Sequence, residues 1–428
     1  MSVPSPAAAS TRRCRPRPQP RRDGDLRPTD VVGAFFVCGI AFLLAAAVAG
    51  AVQAESPWPW GRWLALHLAF VGGVSQLVLG ASQFFAGAFL ATDPPPRALV
   101  RGQLAAWNAG AIALAVAVPE GDGALTWAAV GLLLSGLGLW AAAIALMRRR
   151  SLSRAPWATR WYVSSAAFLG FGVIAGSLLA HGTIWVHGDL LGAHMALNLA
   201  GWFGAAIVGT LHTFYPSLTQ TQLRFPRLQA LAFGAWSAGV TALAVGYGWA
   251  LEGVAIAGWL GLCLGALALL VNVAACLHRE GAPLSLAARI VGAAQPFLLA
   301  ALILATATAI DRGAGYALAG DTKEAVGTLL VAGWVGLTVL GSLLHLLAVV
   351  LRVRGGFQTK MPTPRPLPDA ALALLAAAAV AALALAQRAG LGSLHGPAEA
   401  LLLATYLLLG ARVLLLAARI LIRARPSL

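Results

Sequence analysis

The side chains best suited to chemistry in this chain are its eight histidines, His67, His181, His187, His194, His212, His278, His345 and His395. Neutral imidazole binds heme iron or copper through one ring nitrogen while the other donates to a partner. His67, His194, His212 and His345 lie inside long apolar runs, where an ionisable group is costly and by default points to function. His67 and His194 are therefore the expected cofactor-binding pair. His181 and His187, in the stretch leading into His194, would join it in an outer metal site. The alternative for a buried imidazole is a hydrogen bond to a helix carbonyl. His212 follows His194 by 18 residues, about 27 Å along a helix, so these two cannot hold one metal. His212 and His345 are secondary candidates that either pair with each other or pack at a membrane interface. Asn198, one turn beyond His194, is the third secondary candidate. His278 and His395 read as solvated.

Other chemistry is sparse. No phosphate-binding glycine loop, nucleophile elbow or paired-carboxylate site occurs. The four cysteines, Cys14, Cys38, Cys263 and Cys276, have no Cys-x-x-Cys spacing and indicate neither a disulfide framework nor a zinc site. Gln76, Gln83, Asn108, Asn198, Asn272 and Gln295 lie within apolar runs and read mainly as interhelical glue. Asp189 and Glu324 open two runs and suit helix N-termini.

The elements that must position these groups follow from composition. The chain is 59% hydrophobic and 11% charged, with mean hydropathy +0.79, far more apolar than a soluble domain. Backbone groups in lipid must be satisfied internally, and a helix needs roughly 20 residues to cross. Twelve runs of that length are present, approximately 30–53, 63–91, 99–118, 124–147, 158–180, 189–213, 228–248, 253–277, 284–310, 323–351, 368–387 and 397–420. The predicted fold is an all-α polytopic membrane protein. With the N-terminus inside, 26 of the 30 basic residues fall on the cytoplasmic side, and only Arg62, Arg312, Lys323 and Arg388 fall outside. This asymmetry predicts a plasma-membrane protein with both termini cytoplasmic. It also accounts for the net charge of +15 without nucleic acid. Residues 1–29 read as a disordered basic tail that touches anionic membrane lipids, and 30–428 as one transmembrane domain. Trp58, Trp60, Trp63, Trp127, Trp157, Trp161, Trp185 and Trp249 fall near run ends, where rings anchor at the headgroups.

A pattern sets the order within the bundle. Gly-Trp-x-Gly-x4-Gly-[Ser/Thr]-Leu occurs at 201–211 and again at 333–343, with Gly72, Ser75, Gly80 and Ala81 at the corresponding places in the second run. The copies start 129 and 132 residues apart, four helices each time. Small residues at this spacing let helices approach closely in lipid. The second, sixth and tenth segments are expected as inner helices of three pseudo-repeats, at about 30–147, 158–277 and 284–420.

Twelve helices in three four-helix arcs resemble the catalytic subunit I of the heme-copper oxidases, including the nitric oxide reductase and cbb-type branches. The run His194-Met-Ala-Leu-Asn198-Leu-Ala-Gly201-Trp202 is similar to the His-x3-Asn-Leu-x-Gly-Trp run of divergent actinobacterial relatives of that subunit. The resemblance implies heme or copper as cofactor, a respiratory electron-transfer or copper and nitrogen-oxide role, and a periplasmic or extracellular cupredoxin or other redox partner. It matches His67 to an axial heme ligand and His194 to a copper ligand. The outer half of the tenth segment, 326–336, has no histidine, and the seventh, 228–248, lacks the expected His-His pair. The complete binuclear centre is thus missing. A twelve-helix transporter and a cofactor-free scaffold are the competing readings; the period of four and the nearly pure Ala, Leu, Val and Gly midplanes weigh against a transporter.

Overall fold

The computed structural model describes residues 28–151, 156–277, 283–354 and 362–423. The expected tail at 1–29 lies almost wholly outside them, as does His278. Among the described residues the chain is all-helical, and twelve helices are long and apolar enough to span a membrane. They are α1 (Val32–Glu55), α2 (Gly61–Phe89), α3 (Arg97–Glu120), α4 (Gly123–Arg150), α5 (Trp157–Ala180) and α6 (Leu190–Thr219). The second half comprises α7 (Leu228–Gly248), α8 (Glu252–Leu277), α9 (Leu286–Arg312), α10 (Gly320–Val353), α11 (Pro366–Ala389) and α12 (Gly392–Ile420). Several ends are set by ordinary capping. Asp122 and Asp189 accept from the amides of Leu125 and Gly192, both at 2.9 Å, and so open α4 and α6.

The helices close into a ring. Helix α2 packs on α5, α6 on α9, and α10 returns to α1. Helices α2, α6 and α10 meet around a central cavity of about 90 Å³ lined by Val74, Ala206, Phe214 and Leu346. Helices α10 and α6 are the most enclosed, with 67% and 61% of their apolar cores buried, whereas α2 at 44% is no more enclosed than α4 or α8. The outermost is α12, at 17%.

Close approach rests on glycine. A Cβ at Gly72, Gly201 or Gly333 would fall 2.3, 2.6 or 2.8 Å from the side chain of Phe42, Phe168 or Phe297 on the preceding helix. Two turns deeper, Gly80 meets Phe35, Gly209 meets Trp161, and Gly341 meets Val291, at 2.7, 2.3 and 2.7 Å. Each distance is too short for any other residue, so the six glycines set the spacing between neighbouring axes. Trp161 is consequently fully buried rather than anchored at an interface; Trp58, Trp60, Trp127 and Trp249 are exposed.

The same three helices change winding in mid-span. Leu68–Val74, Ala196–Gly204 and Thr328–Gly336 are π-helical. A wide turn takes a carbonyl out of the regular α ladder, and in lipid that oxygen needs another donor. Trp107 Nε1 donates to Val71 O and Trp236 Nε1 to Ala200 O, each at 2.9 Å and each from 36 residues downstream. In α10 the phenol of Tyr406 donates to Ala332 O. Tyr406 comes from α12 because the residue 132 beyond Trp236 is Pro368, which has no ring N–H.

Further ring donors tie the helices together. Trp202 Nε1 reaches Ser75 Oγ, Trp140 Nε1 reaches Ser82 Oγ, and Trp334 Nε1 reaches Gln295 Oε1, all at 2.9 Å. Gln295 also donates to Thr338 Oγ1 at 3.1 Å, acting as the expected glue.

Trp236→Phe keeps the aromatic packing but removes one of two donors to the Ala200 carbonyl, which still accepts from the Ala205 amide, and should destabilise the protein by about 0.5–1.5 kcal/mol. Tyr406→Phe should do the same at Ala332. Thermal unfolding in detergent checks both, with Trp127→Phe, on an exposed ring, expected to leave the midpoint unchanged.

Candidate metal or heme site

Helix α2 and helix α6 each carry one histidine at the N-terminal edge of its π-helical turn. His67 is the last residue before Leu68–Val74, and His194 lies two residues before Ala196–Gly204. The two helices run in the same direction and touch below this level, where the rings of Phe70 and Phe203 lie 5.0 Å apart.

Each ring is fixed by a carbonyl. His67 Nδ1 lies 2.8 Å from Trp63 O, and its ring stacks on the Trp63 indole at 4.1 Å. His194 Nδ1 lies 2.9 Å from Gly172 O on α5. Because a carbonyl oxygen only accepts, Nδ1 carries the proton in both rings and Nε2 keeps its lone pair. Neither Nε2 has a hydrogen-bond partner among the described residues. A hydrogen bond from the far nitrogen is what orients metal-binding histidines.

The notch that receives His194 is made of small residues. A Cβ at Gly176 would fall 2.7 Å from His194 Cε1, and one at Gly172 would fall 2.5 Å from Asn198 Nδ2. Asn198 Nδ2 donates to His194 O at 2.8 Å and lies 3.2 Å from His194 Nδ1. Asn198 therefore braces the histidine from one turn below through its Nδ2.

The other expected ligands do not gather here. His181 lies against α4, with Nδ1 2.7 Å from Ser177 O, Nε2 3.2 Å from Gly123 O and its ring on Trp127. Both nitrogens face backbone carbonyl oxygens, so neither points towards His194 or an open space. His187 is exposed and lies edge-on to Trp185, whose indole N–H donates to Gly248 O at the end of α7. The outer site expected from His181, His187 and His194 is not assembled, and among the described residues no cluster of three or more His, Cys, Asp or Glu could hold a metal ion.

At the opposite end of α6, His212 is fully buried rather than interfacial. Its Nδ1 meets Val208 O at 2.8 Å, its ring faces Trp161, and Nε2 has no partner. His345 on α10 lies beside Phe214. Residues 212 and 214 point about 200° apart around a helix, so His212 turns to α5 and His345 meets the other face of α6. The two do not pair. His395 is exposed, with Nδ1 3.5 Å from Glu399 Oε2.

A second cavity, also of about 90 Å³, lies between α6 and α10 and is walled by Trp236, Trp259 and Trp334 together with Leu and Ala side chains. No histidine lines it, and cofactor pockets usually measure about 300–1,000 Å³. A group as large as a heme therefore does not fit there. The indoles that wall the space were readable only as interface or core residues, since nothing in their spacing marks which cavity they enter. Compared with known protein families and with characterised proteins, the chain matches none.

The notch gives a direct test of where His194 points. Gly176→Ala should lower stability by about 1–3 kcal/mol through overpacking. In a His194→Ala background the same change should be nearly neutral. A double-mutant cycle of unfolding midpoints measures this coupling; additive effects would place the ring elsewhere.

Proposed function

We propose that the chain is a membrane redox protein of heme-copper-oxidase-like architecture, three pseudo-repeats of four helices, that holds one redox metal through His67 and His194. The metal is heme iron or copper. The observation that supports this reading is the pair of Nδ1-to-carbonyl bonds, at Trp63 O and Gly172 O, which leaves an Nε2 lone pair on each of two neighbouring inner helices. The donor chemistry fits either metal, since imidazole suits both iron and copper. A metal held there supplies one-electron transfer. The protein's own contribution is to fix the tautomers, hold the rings in place with Trp63 and Gly176, and seal the inner side with Phe70 against Phe203.

In this reading the outer end of the bundle faces away from the cytoplasm, and a cupredoxin or other redox protein exchanges electrons there. Reporter fusions after residue 428 and in the α2–α3 loop should be active only as cytoplasmic reporters, and one in the α5–α6 loop only as an exported reporter. The opposite pattern would invert the bundle.

Purified full-length protein should show heme bands in a reduced-minus-oxidised spectrum, or about one copper per chain by elemental analysis. His67→Ala and His194→Ala should each remove most of the signal, while His395→Ala should not. A colourless, metal-free preparation would defeat this reading. It would favour the second one, a cofactor-free bundle, for which the small size of the cavity walled by Trp236, Trp259 and Trp334 speaks.

A further inference from the structure

A hollow much larger than the two interior cavities lies outside the ring, between α4 and α5. It measures about 730 Å³, against about 90 Å³ for each of the two interior cavities. On α4 it follows one helical stripe from Leu134 through Leu137, Gly138, Ala141 and Ala145 to Arg148 and Arg149; on α5 it is bordered by Thr159, Tyr162, Val163 and Ala166. Small residues make the hollow. A Cβ on Gly138 would meet nothing within 4 Å.

The wall is chemically one-sided. Two ring donors that might have made it polar are engaged inward, Trp140 Nε1 on Ser82 Oγ and Tyr162 OH with Thr210 Oγ1. Polar charge is confined to one end, where Arg148 and Arg149 line the hollow, with Arg150 following. All three are exposed, and no ion pair holds them among the described residues. Arg160, over the Trp157 ring at 4.7 Å, adds a further cation at the same end of α5. The stripe from Leu134 to Arg149 is about 22 Å long, which exceeds the hydrocarbon half-thickness of about 15 Å. It therefore runs from the bilayer interior to the headgroup level.

We propose that this groove binds an anionic phospholipid, with an acyl chain along Leu134–Ala145 and the headgroup phosphate held by Arg148 and Arg149. Hydrocarbon fits the apolar wall, and guanidinium pairs with a phosphate oxygen by charge-assisted hydrogen bonds. Charge complementarity selects an anionic over a zwitterionic lipid, because three consecutive arginines face the headgroup region without a carboxylate bonded to them. The inference is independent of any metal at His67 and His194.

The test uses the full chain, purified in mild detergent and titrated with phosphatidylglycerol or phosphatidylcholine, with bound lipid read by native mass spectrometry. One phosphatidylglycerol should be retained in preference to phosphatidylcholine. Arg148→Gln and Arg149→Gln should each weaken retention about fivefold. Arg224→Gln, at the same end but outside the groove, should leave it unchanged. Gly138→Phe fills the groove without altering charge and should abolish retention, which keeps the test decisive if an arginine variant folds poorly. Equal retention of the two lipids, or retention insensitive to both Arg149→Gln and Gly138→Phe, would overturn the proposal. So would disulfide cross-linking of two copies through cysteines placed at Ala141, which would show a second chain as the occupant.

Discussion

A backbone carbonyl that leaves its helix ladder inside hydrocarbon has no water to turn to. Three of the longest helices in this protein nonetheless widen in mid-span, and the fold works because each wide turn finds a donor on a neighbour. Trp107 serves Val71, Trp236 serves Ala200, and Tyr406 serves Ala332. These bonds do two things together. They give the carbonyl of the wide turn a side-chain donor, at Ala200 in addition to the Ala205 amide, and they fix how far the donor's helix stands from the inner one. The third donor shows that the requirement belongs to the carbonyl rather than to a particular residue, since α12 supplies a phenol where α11 has Pro368.

The glycines are the steric side of the same arrangement. An indole or phenyl ring can press against an inner helix only where that helix has no Cβ, as at Gly72, Gly201, Gly209 and Gly333. Aromatic rings thus occupy the spaces between helices in which a large cofactor would otherwise fit. The small cavity between α6 and α10, narrowed by three indoles in its wall, is the clearest case.

The histidines at the N-terminal edge of the wide turns lie beyond this packing. His67 and His194 sit where α2 and α6 are still partly open, and each ring is held by a bond to a carbonyl one turn back or on α5. His212, at the other end of α6, makes the same type of bond within a closed setting. Burial, more than the local hydrogen bond, separates the candidate ligands from the structural histidine.

The twelve spans, their ends to within a few residues, and the concentration of arginine at one end of the bundle could all be read from the sequence. Lipid crossing is a matter of length and local hydropathy, and charge accumulates wherever the chain emerges. The recurrence of Gly72, Gly201 and Gly333 was legible for the same reason, because close approach demands one residue type. Other features depended on contacts between residues far apart. Which of Trp127 and Trp161 faces lipid, whether His181 joins His194 or turns to Gly123, and that His212 and His345 lie on opposite faces of α6 are settled by rotation of each helix about its axis. An apolar run fixes that a helix crosses but leaves its rotation nearly free, and only the packing of neighbouring helices chooses the angle.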